Sequence, residues 1–250
     1  MKRSPGVVVA RSREGNVELR QMLLDRGIEA AAVEAIFLAD PESWAEFDSA
    51  IAGISRFDWV AFTSPRAVAA FGKRLTVLGM KAKGLGPRFA AVGTKTASAL
   101  GDIGIEADYV PPEFLTSALG EGLPGKSGSH VLLLRADIGD KRLVALLEAR
   151  GFEVEDVVAY HTRFVSGPVD SEVAKSARIV AFASPSEVEG FHRRFGSGKF
   201  DGLAARATAA CIGPVTARAA RDAGFSSVVY AQEHTLEALA DKIGEMIVNA

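Results

Sequence analysis

Few side chains in this sequence are placed to do chemistry, and those that are come in pairs. Residues 60–71 read VAFTSPRAVAAF, and residues 180–191 read VAFASPSEVEGF. In each, an apolar run suited to a buried strand is followed by Ser-Pro. Ser64 and Ser184 are N-cap residues by type, and Pro65 and Pro185 fit the first turn of a helix. A second pair has the same logic: Gly93-Thr94-Lys95-Thr96 and Gly213-Pro214-Val215-Thr216 each follow an apolar run with a tight turn and a helix start. Helix starts at strand ends present free N–H groups and the positive end of a dipole, which suits carboxylates or phosphates. Ordinary capping explains each of these sites taken alone. Four of them at matched places give the anion-binding reading comparable weight.

Other candidates are sparse. Tyr160 closes the strand-like run VVAYHT, where a phenol can donate a proton at a crevice or simply pack. Arg11, Arg13 and Arg135 follow strand ends and could meet anionic groups, with surface solvation as the plainer explanation for any one of them. His130, His161, His192 and His234 have no metal-ligand spacing and read as surface or packing residues. Cys211 sits in an apolar run and reads as a small buried hydrophobe. There is no Walker A sequence, no GxGxxG opening a helix after a strand, and no arrangement for a nucleophilic triad.

The elements that must position these residues repeat. At an offset of 120, Phe62 meets Phe182, Ser64-Pro65 meets Ser184-Pro185, Gly93 meets Gly213 and Thr96-Ala97 meets Thr216-Ala217. At an offset of 124, Arg11 meets Arg135, Gly15 meets Gly139, Leu23 meets Leu147 and Arg26-Gly27 meets Arg150-Gly151. The chain is a duplication of roughly residues 7–123 as 131–243, joined by GLPGKSGSH at 122–130. Strand-like runs at 7–10, 58–63, 88–92, 131–135, 178–183 and 208–212 alternate with helical patterns, with Asn16 as a cap for the first helix and Gly27 as its end. That alternation predicts an α/β fold: two similar lobes, each a parallel sheet flanked by helices. The tandem repeats alone suggest lobes of 1–125 and 126–250, facing each other across a cleft. With 48% hydrophobic and 24% charged residues the chain can build such cores. A net charge of −2 gives no basic excess for nucleic acid, and a single cysteine excludes disulfides and cysteine-based zinc sites. The apolar run 7–10 is far too short for a signal peptide or membrane span, so the expected compartment is the cytoplasm.

The segments DWVAFTSPRAVAAF, AAVGTKTASAL, VLLLRADIGDKRLVALLEARGFEVEDVVAYHT, IVAFASPSEVEGF and CIGPVTARAARDAGF, in this order, resemble the uroporphyrinogen-III synthase family. The paired VGxxTA and IGPxTA turns, the two F-x-S-P segments and VxxYHT carry the likeness together. The resemblance implies exchanged strand–helix units: one lobe of residues 1–37 and 162–250, another of 38–161, joined by a two-stranded hinge near Phe37-Leu38 and Thr162-Arg163. It implies a lyase of haem biosynthesis that closes hydroxymethylbilane, handed on from the preceding pathway enzyme, into uroporphyrinogen III and water. The last pyrrole ring is inverted on the way. It implies Tyr160 as the group assisting hydroxyl departure, with Ser64, Thr96, Ser184 and Thr216 toward substrate; Arg11, from its place at a strand end, is expected to join them as a substrate contact. It implies a monomer with no cofactor and no metal, and neither nucleic acid nor membrane as partner. Two rivals stay open at this level: a non-catalytic two-lobed sensor of small anions, and a synthase-like domain that regulates by contact.

Overall fold

The computed structural model describes residues 6–248. In chain order the elements begin with β1 (Val7–Arg11), α1 (Arg13–Leu24), β2 (Ala30–Glu34), β3 (Ile36–Ala39), α2 (Ala45–Ala52), β4 (Trp59–Phe62), α3 (Pro65–Val77), β5 (Arg88–Ala91), α4 (Thr94–Asp102) and α5 (Thr116–Gly122). They continue with β6 (His130–Ala136), α6 (Arg142–Ala149), β7 (Glu153–Phe164), α7 (Ser171–Ser176), β8 (Ile179–Phe182), α8 (Pro185–Phe195), α9 (Ser197–Ala204), β9 (Thr208–Cys211), α10 (Pro214–Asp222), β10 (Ser227–Tyr230) and α11 (Leu236–Val248). Two compact units result, Met1–Leu38 with Arg163–Ala250 and Ala39–Thr162. Among the described residues no helix is long and apolar enough to cross a membrane.

The first unit is built on the sheet β10-β9-β8-β1-β2, with parallel pairing throughout. Renumbered by chain order this is 2-1-3-4-5, a doubly wound arrangement whose order reverses between β1 and β8. Its strands are buried on both faces because alternate residues enter different cores. Val8, Ala10, Val180 and Phe182 join the cluster under α8, α9 and α10, while Val7, Val9, Ile179 and Ala181 pack with Leu19, Leu23, Leu239 and Ile243 of α1 and α11.

The second unit is built on the neighbouring strands β7-β6-β4-β5. Its pairings copy those of the first, register for register. Val131 lies opposite Trp59 as Val7 lies opposite Ile179, and Trp59 opposite Arg88 as Ile179 opposite Thr208. Val131 also meets Val154 as Val7 meets Ala30. A slip of one residue would turn every side chain to the wrong face, so matched registers follow from matched apolar patterns. Here the order reverses between β6 and β4. Phe62, Phe71, Phe89 and Leu100 fill one side of this sheet, and Trp59, Leu133, Leu143 and Leu147 the other.

One local expectation is corrected. Asn16 does not cap α1: Ser12 does, its Oγ accepting from Gly15 N at 3.2 Å. Asn16 is buried one turn inside, where Nδ2 donates to Val33 O and Oδ1 accepts from Arg11 N, tying α1 to β1 and β2. A serine one turn earlier competes for the same role and leaves the amide group for sheet contacts.

Candidate functional site

In a doubly wound sheet, ligands gather at the carboxyl ends of the strands where the order reverses. In the second unit that point lies between β6 and β4, and the chain there supplies Asp137 and Ser64. Ser64 is extended (φ −161°, ψ 152°) and caps α3, its Oγ accepting from Ala67 N at 3.2 Å, with Pro65 opening the helix. The Ser64 hydroxyl also lies close enough to the phenol of Tyr160 to influence its titration.

Tyr160 reaches that position through an irregularity in β7. Arg135 pairs with Val158, but the next residue, Ala136, pairs with Tyr160, so Ala159 is an extra residue. A bulge of this kind re-aims the side chains that follow it. Val157, Ala159 and Tyr160 consequently all pack on the same core as α3, which strict alternation would forbid. The first unit breaks at the equivalent place: β2 ends at Glu34, β3 starts at Ile36, and Ala35 lies between them.

Burial pushes the Tyr160 phenol above the ordinary tyrosine range; the nearby Ser64 hydroxyl and the Arg66 charge pull it down, while Asp137 pushes it up. Asp137 is held by its surroundings. Its Oδ1 accepts from Thr162 N at 2.9 Å and from Ile138 N at 3.0 Å, and its Oδ2 lies 2.7 Å from His161 Nδ1. Its own N–H donates to Tyr160 O at 3.1 Å. Asp137 therefore fixes the turn after β6 against β7, by its carboxylate to His161 and Thr162 and by its backbone N–H to Tyr160. The phenol stays protonated at neutral pH and is available as a donor.

The first unit repeats the scaffold without this chemistry. Ser184 caps α8 with Oγ accepting from Glu187 N at 3.3 Å, and Glu187 Oε2 reaches back to accept from Ala183 N at 2.5 Å. This is nearly a capping box, and the Ser-x-x-Glu spacing was there to be read. Glu187 is almost fully buried, and burial pushes its carboxyl above the usual range against the pull of Arg11 and the amides of Ala183 and Ser184. Arg11, expected to face substrate, donates from Nε to Glu187 Oε1 at 3.1 Å and from Nη1 to Gly15 O at 3.0 Å. Its duplicate Arg135 has a bidentate partner in Asp156, at 2.8 and 2.6 Å. Where the second unit has Tyr160, His161 and Asp137, the repeat puts Ile36, Phe37 and Arg13 in the first.

The second pair of helix starts is also duplicated in space. Gly93 and Gly213 are extended N-caps of α4 and α10, and neither cap uses a side chain. Phe114 lies against Gly93 and His234 against Gly213; a Cβ there would stand 3.1 Å from Phe114 Cβ and 2.8 Å from His234 Cδ2. Thr96 and Thr216 are buried in the first turns of these helices, only 2% and 3% exposed. Thus Ser64, Tyr160 and Thr96 belong to one unit, with the Ser64 hydroxyl near the Tyr160 phenol. Arg11, Ser184 and Thr216 belong to the other, with Arg11 and Ser184 joined through Glu187. Cys211 is buried in β9, its thiol pushed up to about 12 by burial, which suits a packing role and not a nucleophile.

Comparison with known proteins agrees with this architecture. A family model described as uroporphyrinogen-III synthase HemD matches residues 17–241. The uroporphyrinogen-III synthase of Synechococcus elongatus is 32% identical over 225 residues, covering 86% of this chain and 85% of that protein. The chloroplastic uroporphyrinogen-III synthase of Oryza sativa is 29% identical, covering 97% and 81%. Among solved structures, a uroporphyrinogen III synthase from Thermus thermophilus superimposes with a TM-score of 0.70 at 19% identity, covering 98% of this chain and 99% of that one. The Helicobacter pylori uroporphyrinogen-III synthetase gives 0.60 at 18%, covering 97% and 99%. These two likenesses speak for the fold, and the family model and the cyanobacterial relative speak for descent: the chain belongs to the uroporphyrinogen-III synthase family.

Proposed function

We infer that this chain is a uroporphyrinogen-III synthase, a lyase that acts as a monomer on hydroxymethylbilane without metal or organic cofactor. The observation that carries the inference, beside family membership, is the partly buried phenol of Tyr160 beside the cap serine of α3 at the sheet's reversal point. A phenol kept protonated can give its proton to a hydroxyl leaving as water. Loss of that hydroxyl from the bilane makes an electrophilic azafulvene. The substituted α-carbon of the last ring attacks it and gives a spiro intermediate. Fragmentation and reclosure through the free α-carbon invert that ring, and the carbon then releases one proton. One proton enters and one leaves, so only water is lost.

Little acid–base power is demanded, because the uncatalysed chain also closes, to the uninverted type I isomer. Selection of geometry is the larger task, and this is catalysis by positioning. Helix starts of this kind suit the substrate's acetate and propionate arms. The GxxT turns that Thr96 and Thr216 close from inside offer their helix-start N–H groups as the proposed contacts, with Ser64 and Ser184 at the Ser-Pro turns. Arg11 is assigned an indirect role here, since its Nε and Nη1 already serve Glu187 and Gly15. The sensor and regulatory readings gain nothing from the family match.

The test follows hydroxymethylbilane consumption in a coupled assay. Addition of the protein should shorten the lifetime of the bilane in proportion to concentration, and Tyr160→Phe should remove most of that effect. A bilane lifetime unaltered by the wild-type protein would overturn the reading.

A further inference from the structure

A second feature of the first unit lies at the far end of α8 from Ser184. The helix has 11 residues, so its ends stand roughly 15 Å apart. There, α7, the end of α8 and α9 enclose a cavity of about 720 Å³. Five cationic side chains line it: Lys175, Arg193, Arg194, Lys199 and Arg206. No acidic residue does, in a chain whose net charge is −2. Its apolar wall includes Val169, Phe195 and Leu203.

Much of this charge is left without a counter-charge. Arg194 donates to the carbonyl oxygens of Glu34, Gly167 and Pro168 at 2.6, 3.2 and 3.0 Å. Arg206 donates to those of Gly202 and Ala174 at 2.6 and 2.5 Å. Carbonyl dipoles fix the guanidinium planes but do not cancel their charge. Lys175 and Arg193 pair with Glu172 and Glu189, whose side chains are 70% and 50% exposed and lie outside the cavity lining, so water screens them. Lys199 has no side-chain partner among the described residues. Helix-end stapling accounts for Arg194 and Arg206 singly. It does not account for a lining that gathers five cations around an apolar wall and excludes every carboxylate.

We propose that this cavity binds a small amphipathic anion, with two or more carboxylate or phosphate oxygens on the cationic side and an apolar body against Phe195 and Leu203. Guanidinium charges held in place by carbonyl dipoles attract either oxyanion, and the Lys199 ammonium can donate to it directly. Low-dielectric walls lined by one sign of charge concentrate such ligands. The site is separate from the helix starts named above and does not rest on the synthase reading.

Two probes distinguish the possible sources: ATP without metal for phosphate, and naphthalene-1,4,5,8-tetracarboxylate for carboxylate. Each is titrated calorimetrically into the full chain at low salt, with amide chemical shifts recorded in parallel. Saturable binding with shift changes confined to residues 168–206 is expected. Lys199→Glu and Lys175→Glu, which hold no carbonyl, should each weaken it about tenfold, as loss of a charge-assisted contact does, and leave thermal stability unchanged. Binding of only one probe supports the site and names its chemistry. No saturable binding of either probe below about 1 mM, or binding indifferent to both variants, overturns the proposal. So does a preference for single-stranded DNA over both probes.

Discussion

Arg11→Ala should expose how much of the first unit depends on one ion pair. In the native protein the Arg11 side chain is 15% exposed and that of Glu187 is 6% exposed, with Nε and Oε1 3.1 Å apart. Removing one partner of a buried pair costs about 3–5 kcal/mol, because the other charge stays behind without compensation. Arg11 keeps some contact with water, so the low end applies, about 3 kcal/mol. For a chain of this size that is a fall in Tm of about 6–12 °C. The loss should depend on pH. Glu187 has a raised carboxyl pKa in the folded protein, so its protonation stabilises the fold below the ordinary glutamate value, and that contribution is lost as pH rises through the folded value. Arg11 is among the groups that hold the folded value down, so the variant's rises further. Urea melts should therefore show the larger deficit at pH 8 and a smaller one at pH 5. Glu187→Gln in the Arg11→Ala background should recover stability at pH 8, because no charge is then stranded. An equal deficit at both pH values, with no recovery by the glutamine, would refute the reasoning.

Four further outcomes follow from the same geometry. Tyr160→Phe should lower kcat about a hundredfold, the usual worth of a positioned acid. The alkaline limb of the wild-type rate profile should lie above the ordinary tyrosine range, moving down in Asp137→Asn and up in Arg66→Gln, because those charges act on the phenol with opposite sign. Gly190→Ala should cost about 2–3 kcal/mol in urea melts, since the new Cβ would stand 2.3 Å from Ala35 O and backbone must shift to admit it. Cys211, fully buried with its thiol raised to about 12, should resist iodoacetamide at pH 8 until the protein is unfolded.

The parts of the fold that were legible in the sequence are those written locally and twice. Apolar runs, Ser-Pro and Gly turns set strand ends and helix starts, and the two offsets of the repeat anticipate registers that coincide pair by pair. Ser64 and Ser184 were readable as caps because capping needs only neighbours within one turn. What was not legible depends on distance or on a single irregularity. Arg11 and Glu187 are 176 residues apart, and no local pattern joins them. The bulge at Ala159 turns Tyr160 onto the face of α3, whereas a regular alternation would send it to the other side. Asp137 looked like an ordinary turn residue, and its role emerges only where β6 and β7 bring it to Thr162 N and His161. His161, expected to be a surface or packing residue, is the partner of that carboxylate. Asn16 had the right type for a cap, but Ser12 was closer to the strand end.

The most direct test of the account is the isomer produced. Hydroxymethylbilane is generated in situ in the presence of the protein, the products are oxidised, and the uroporphyrins are separated by chromatography. A dominant type III peak that grows with protein concentration is the predicted result. Type I alone, formed at the protein-free rate, would contradict the assignment of synthase chemistry to this chain.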